Sequence, residues 1–322
     1  MNSAWCEKTD SMYSDYPRVG ELSRGELRDR LEGRGLGVRI GPFDMCLRVA
    51  VPAIVDSLHE LYRNYPLLGF DRVFSFHVLL EERRRAFRRR TVRFIVDGKA
   101  PHEDMPAEHA LAVLEWGINL VIAFRHHSHL MLHAGVVEKA GHAMIFPAEP
   151  GSGKTTLCAA LMLRGWRLLS DEFGLLRPGT LSFIPVPRPM PLKNESISVI
   201  KSFDRGAFLG PEIANTRKGT IAHLRPSGPS IQFAERVAQA SAVIFPKWES
   251  GTELVLEELP QNDAFAALAL NSFNYELLGE TGFKTVAKLV SGVKSYRFRY
   301  SDLNGAIDAI DGLLRHDAVD HD

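Results

Sequence analysis

Cysteine is scarce in this chain of 322 residues: the three, Cys6, Cys46 and Cys158, cannot all pair with one another and show no metal-ligand spacing. That excludes a disulfide scaffold and a cysteine-based zinc site, and a reducing compartment is the expected setting. An excess of one charge is also missing. Lys and Arg number 39 and Asp and Glu 39, a formal net charge of +0 with a pI near 7.2, so no global field draws the chain to nucleic acid or an acidic membrane. No apolar stretch matches the ~20 residues of a membrane-spanning helix. The best, residues 116–124, is too short, and residues 1–18 lack the basic start and apolar run of a secretory leader. There is no internal repeat and no low-complexity segment. A cytoplasmic protein with neither nucleic-acid nor membrane partners is expected.

Hydrophobic residues make up 45% of the chain, enough to bury a sizeable core, and the length suits one large or two modest domains. The most informative stretch is 143–176, which reads as a buried strand, a glycine-rich loop, a helix and a second strand ending in two acids. Within it, Ala148-Glu149-Pro150-Gly151-Ser152-Gly153-Lys154-Thr155 fits a phosphate loop, with Ala where the first Gly is more usual. Gly151 and Gly153 allow backbone conformations closed to other residues, so successive amides converge on an anion at the positive end of a helix. Pro150 through Thr156, with Ser152 between the glycines, are the expected nucleotide-binding residues. Lys154 is placed to reach the β- and γ-phosphates of ATP, and the Thr155 hydroxyl to ligate Mg²⁺. Gly165 stops the helix, 166–169 forms a short apolar strand, and Asp171-Glu172 follows directly.

Three features of this stretch carry a family likeness: His133-Ala134-Gly135 on the strand before the loop, Arg164-Gly165 at the helix end, and the acids carried by the next strand. The arrangement resembles the kinase domain of HPr kinase/phosphorylase, related in fold to ATP-dependent phosphoenolpyruvate carboxykinase. The likeness is nearest to the branch called HPr kinase-related kinase A. It is strongest over residues 130–176 and extends to about 314. The chain departs from the family pattern at Thr156, where an acid is usual, at Glu172, where Asp is typical, and at Ala134, which separates His133 from its glycine. The segment associated with the family's reverse, phosphorylase reaction is not found.

The resemblance implies an α/β fold with a phosphate-loop kinase core and Asp171 as the base that takes the acceptor's proton. Glu172 and Thr155 would lie on the Mg²⁺ side, and His133 would support the acids. It further implies a serine hydroxyl on a small protein or peptide as acceptor, a PqqD-like peptide chaperone as companion, and a homo-oligomer. Two other readings stay open: a small-molecule kinase, and an ATP-binding interaction protein without transfer activity. A GTPase is disfavoured, because no N-K-x-D motif follows.

Around this core, residues 1–105 read as an N-terminal α/β module with a disordered start, 106–315 as the kinase domain, and 316–322 as a tail. The module shows a hairpin about Gly41-Pro42-Phe43-Asp44, a helix over 52–62, strands over 73–80 and 92–96, and a basic run over 83–90 that reads as a solvated hairpin end. A long apolar helix over 106–124 joins the two parts. The tract His126-His127-Ser128-His129 reads as a surface loop. Downstream, 183–195 is too proline-rich for a central strand, and 217–226 sets cations around a glycine that would act as a hinge. Arg188, Lys193, Asn194 and Arg225 are the candidates there for phosphate or acceptor. Further strands and helices are expected over 242–247, 253–258, 263–271, 282–291, 295–300 and 303–314.

Overall fold

Alternating apolar residues on either side of the Gly41-Pro42 turn fold back as a hairpin, the centre of the first sheet. In the computed structural model, which describes residues 15–84, 89–149 and 151–317, that hairpin is β1 (Leu36–Ile40) and β2 (Phe43–Ala50). The sheet also holds β3 (Leu67–Leu68), β4 (Phe76–Arg83), β5 (Thr91–Val96) and β6 (Met105–Pro106), in the order β3-β1-β2-β4-β5-β6. Only β2 and β4 run parallel, because a helical crossover separates them. Two helices serve this sheet before β4. Helix α1 (Arg24–Glu32) opens on a capping box in which Ser23 Oγ accepts from the Glu26 amide at 3.2 Å and Glu26 accepts from the Ser23 amide at 2.8 Å. Helix α2 (Val55–Leu61) buries Val55, Leu58 and Leu61 at helical spacing.

Helix α3 (Ala110–Arg125) packs along the same core, with Ala110 to Leu114, Ile118, Val121 and Ile122 buried beside Phe94 and Val96. With its leading turn it forms a 19-residue apolar helix, Ala107–Arg125, of mean hydropathy 1.3. That is longer than the apolar run of 116–124 read from the sequence, which Glu115 bounds on its N-terminal side. Most of it is buried inside the protein. Among the described residues it is the one helix long and apolar enough to cross a membrane. After it, His126 and His129 bond to each other at 2.8 Å, and the His126 and Phe43 rings meet at right angles, 5.0 Å between centroids.

The second sheet carries the 143–176 stretch. It contains β7 (Leu130–Lys139), β8 (His142–Pro147), β9 (Arg167–Ser170), β10 (Phe173–Leu176), β11 (Ser182–Ile184), β15 (Ala238–Trp248), β16 (Val255–Glu258) and β17 (Lys294–Tyr300). The long strand β7 has β8 on one side; on the other, β9 pairs with its far half and β10 with its near half. Asp171-Glu172 therefore sits at the break between two strands that share one neighbour. The parallel pairs β8–β15 and β15–β17 follow, and β11 also reaches β15, so the sheet curls.

Helix α4 (Lys154–Leu163) covers one face of this sheet with α10 (Leu303–Asp317); α7 (Gln261–Leu270), α8 (Tyr275–Leu278) and α9 (Glu280–Gly292) cover the other. A three-stranded sheet of β12 (Met190–Lys193), β13 (Ile213–Thr216) and β14 (Gly219–Leu224) is joined through α5 (Glu195–Phe203), and α6 (Gly228–Gln232) leads back to β15. Strand β12 is an edge strand, the place where Pro191 is tolerated. Gly219 sits in the β13–β14 turn at φ +85°, and the Asn194 side chain accepts from the next amide, Thr220, at 3.1 Å. This is a bonded hairpin end, not the hinge read from the sequence.

The expected start of the chain, Arg85 and Arg88 of the basic run, Pro150 and the last five residues of the tail lie outside the described residues.

Candidate functional site

Strand β8 ends at Pro147 and α4 begins at Lys154, so the glycine-rich loop joins a buried strand directly to a helix N-terminus. Gly153 caps the helix at φ +89° and Gly151 lies at φ +91°, both left-handed. A side chain at Gly153 would also collide with Tyr300 Oη at 2.8 Å and Trp248 Cβ at 2.9 Å. The loop is held from behind: the Trp248 amide donates to Ser152 O at 2.9 Å. On the open side, the amides of Lys154, Thr155 and Thr156 have no acceptor among the described residues, as expected of a first helical turn. Thr155 and Thr156 are half-buried there.

Lys154 is different, for it is only 7% exposed and its Nζ is buried without a hydrogen-bond partner. Gly135 of β7 explains how the stem gets in. A Cβ there would lie 2.4 Å from Cys158 Sγ and 3.4 Å from Lys154 Cγ, so only glycine lets α4 settle this close to the strand.

Across from the ammonium, the turn from β9 into β10 is tied by Ser170 Oγ, which accepts from the amides of Glu172 at 3.2 Å and Phe173 at 2.9 Å. Asp171 points inward, 5% exposed, and its Oδ2 is also buried without a partner. Burial pushes its carboxyl up to about 7, Glu172 adds to the rise, and Lys154, Arg188 and Lys193 oppose it. No ion pair closes the gap between Asp171 and Lys154. The ammonium and the carboxyl act on each other without a hydrogen bond between them, and each keeps an unused polar atom.

Glu172 turns the other way and is about one-third exposed, with His133 Nε2 at 3.9 Å from its Oε1. His133 thus lies beside the second acid. Its ring sits against Phe273 at 5.3 Å, and burial and Lys154 lower its affinity for a proton while Glu172 opposes them. Lys193 belongs to the same group. Burial, then Lys218, lower its proton affinity, and Glu172 and Asp171 pull it back.

The other sequence candidates are placed differently. Arg225 is occupied at the first module, bonding Glu60 at 3.3 Å with its guanidinium over Phe208. Asn194 holds the hairpin through its side chain and stands at the start of α5 without a side-chain cap bond. Arg188 is buried and clamped to α3: it donates to the Glu115 carbonyl at 2.8 Å, to the Glu115 carboxylate and to Asn119. Tyr62 completes the clamp by donating to Glu115 at 2.6 Å.

Two groups near the acids were not singled out in the sequence. Lys218 carries its ammonium 5.9 Å from the Trp116 ring centroid and acts on Lys193 and His133. His223 is fully buried with neither ring nitrogen bonded, and it lines a small cavity beside Asp171 with Glu115, Trp116, Asn119 and Arg188. No local sequence pattern marks either residue. Only the pairing of β12 with β14 brings them to the acids.

No protein-family model and no curated protein matches the chain. Among solved structures, the Hpr(Ser) kinase/phosphatase from Coxiella burnetii is similar over 59% of this chain and 97% of its own, at 12% identity and a TM-score of 0.27. That is a distant structural relationship, and the chemistry of the site stands on its own residues.

Proposed function

We propose that this chain is a kinase that transfers the γ-phosphoryl group of ATP to a hydroxyl, with a serine of a small protein or peptide as the expected acceptor. One observation carries the reading: Lys154 Nζ and Asp171 Oδ2 are both buried without partners, Lys154 acts on Asp171 electrostatically, and the first amides of α4 have no acceptor among the described residues. A phosphate tail supplies what each lacks, namely acceptor oxygens for the ammonium and amides. The acceptor hydroxyl supplies a proton for the carboxylate.

In this reading Mg²⁺ would be held sparsely by the protein. Among the described residues no three His, Cys, Asp or Glu side chains cluster as a metal site. Mg²⁺ is commonly held by one or two protein oxygens plus phosphate and water, and Glu172 with Thr155 would provide those. When bound, it would neutralise charge on the phosphate oxygens.

Phosphoryl transfer is mostly placement and electrostatics. In this reading Lys154 and the α4 amides orient the donor, and Lys193 and Lys218 add positive charge where negative charge collects. His133 steadies Glu172. Asp171 accepts the proton as the acceptor oxygen bonds to phosphorus and the bond to the leaving ADP oxygen breaks.

The test is incubation of the full chain with γ-labelled ATP, Mg²⁺ and candidate peptides, beside Lys154→Met and Asp171→Asn. The expected result is nucleotide binding lost with Lys154→Met, and kept without transfer with Asp171→Asn. A chain that ignores ATP with every divalent cation supplied, or an Asp171→Asn variant with full transfer, refutes the proposal.

A further inference from the structure

The phosphate-binding loop leaves the end of β8, and β8, β15 and β17 are parallel neighbours in that order, so their carboxyl ends share one edge of the sheet. Ligands of parallel sheets sit outside that edge. The acids lie to one side of the loop, at the β9–β10 turn next to β7. On its other side β15 and β17 end in register, Trp248 against Tyr300.

These two aromatic residues are placed differently. Tyr300 is buried, its ring stacked on Phe298 at 5.1 Å and its hydroxyl donating to Gly153 O at 3.4 Å, so it supports the loop from below. Trp248 is 47% exposed. Its backbone is fixed all the same: its amide donates to Ser152 O at 2.9 Å, and the next amide, Glu249, donates to Tyr300 O at 3.0 Å. The indole is fixed as well, because Nε1–H donates to the Ser301 carbonyl at 3.1 Å. Among the described residues no ring or cation stacks on it. A large apolar side chain beside the loop thus has its one polar group satisfied, its orientation set and about half its surface uncovered.

We propose that the Trp248 indole is the platform on which the base of the donor nucleotide stacks. The inference rests on the kinase reading above and adds to it a subsite for the end of the nucleotide that the phosphate-binding residues do not reach.

Placement supports it first. In that reading the γ-phosphate faces Asp171 and the remaining phosphates lie on the loop, so the base belongs on the side away from the acids, where β15 and β17 end. Gly153 serves both halves of such a site. Its left-handed backbone shapes the loop, and a Cβ there would lie 2.9 Å from Trp248 Cβ, so the same glycine lets Trp248 approach. Chemistry agrees with placement. An indole already held by Ser301 loses little freedom on binding, and its π-face is the surface on which bases stack. The neighbouring charges, Lys247 and Glu249, pair with each other at 2.6 Å. A bare π-face carries no donor and acceptor pattern, so it holds a base without telling adenine from guanine.

The experiment measures binding, not turnover, on the full chain with Mg²⁺. Calorimetry compares the β,γ-imido analogues of ATP and GTP with tripolyphosphate, which has no base. Removal of a stacking ring typically weakens binding about 5- to 150-fold, so Trp248→Ala is expected to lose at least fivefold in affinity for each analogue. Its affinity for tripolyphosphate should stay within about twofold of wild type, since the amide on Ser152 and the Cβ against Gly153 remain; that control also reports an intact loop. Fluorescence gives a second reading should Trp248→Ala fail to fold. The ATP analogue should quench wild-type tryptophan emission and tripolyphosphate should not, while Trp248→Phe should bind the analogue within about threefold of wild type and lose the quenching. Unchanged affinity for the analogues in Trp248→Ala, a loss confined to one of them, or quenching that survives in Trp248→Phe overturns the platform. A wild-type chain that binds neither the analogues nor tripolyphosphate defeats the kinase reading itself, a separable result.

Discussion

Replacing Lys154 by Met should make the empty protein more stable while removing its ligand. The ammonium is buried and bonded to nothing, and leaving a buried polar group unsatisfied costs about 1–3 kcal/mol, more when it is charged. Methionine has nearly the same length and no polar terminus, and it adapts to the narrow path beside Gly135 and Cys158. Its own misfit should stay under ~1.5 kcal/mol. The net gain expected is therefore about 1–2 kcal/mol. In a chain of this size that raises the thermal midpoint by roughly 1.5–3 °C. ATP with Mg²⁺ reverses the ranking: a ligand at 100 times its Kd stabilises the wild type by ≈ 2.7 kcal/mol, and the variant should gain nothing. Thermal unfolding followed by circular dichroism, with and without ATP and Mg²⁺, reads both halves. Were Lys154 instead a member of a closed ion pair with Asp171, its removal would strand a buried carboxylate and lower the midpoint. A lowered midpoint without ligand, or an ATP-dependent rise that survives in the variant, would refute the reasoning.

Three further outcomes follow from the same geometry. Asp171 is held near 7 in the fold against an ordinary value of 3.8, so between those values the folded chain keeps a proton that the unfolded chain has released. This stabilisation is complete below the ordinary value and is lost as pH rises through about 7, where transfer by the ionised carboxylate should switch on; Asp171→Asn should flatten both the stability and the rate profiles. Gly135→Ala places a Cβ 2.4 Å from Cys158 Sγ, and overpacking of this kind costs about 1–3 kcal/mol; denaturant unfolding should show that loss and calorimetry a weaker ATP affinity, because α4 is pushed off β7. Arg188→Met leaves Glu115 buried with only Tyr62 as a side-chain donor, which should cost about 3–5 kcal/mol in denaturant unfolding; the double variant with Glu115→Leu should recover most of it.

What the sequence reveals of this arrangement is what lies close together in it. The loop, the helix start and the paired acids fall within one strand-helix-strand run, so glycine placement and the change from period two to period three and a half suffice to find them. The hairpin at Gly41, helix α3 and the closing strand and helix are legible for the same reason. Residues met across long separations are not. Arg225 and Lys193 are equally plausible cations in a loop-rich segment, and only the fold sends one to Glu60, 165 positions away, and the other to the acids. Helix α5 is hidden because Glu195–Phe203 directly follows a proline-rich stretch and carries β-branched residues that suit a strand as well. His223 is the extreme case. It sits in an apolar strand like any core histidine, and its two unsatisfied nitrogens appear only when β14 is laid against β12.

The Glu115–Arg188 pair ties the core under the first sheet to the segment beside Asp171. A buried ion pair is a weak stabilising device, since well-packed apolar residues of similar volume usually do as well or better. Its retention is better explained by what it fixes. Glu115 is itself held by Tyr62, whose ring lies against Tyr65, and Tyr65 donates to the Pro187 carbonyl at 3.0 Å, so the clamp grips the 187–188 backbone as well as the Arg188 side chain. These contacts join Tyr62 and Tyr65, just past α2, and helix α3 to the segment that runs beside Asp171. Anchored at both terminal nitrogens, the Arg188 guanidinium lowers the carboxyl's proton affinity from a distance and leaves Oδ2 open to a ligand.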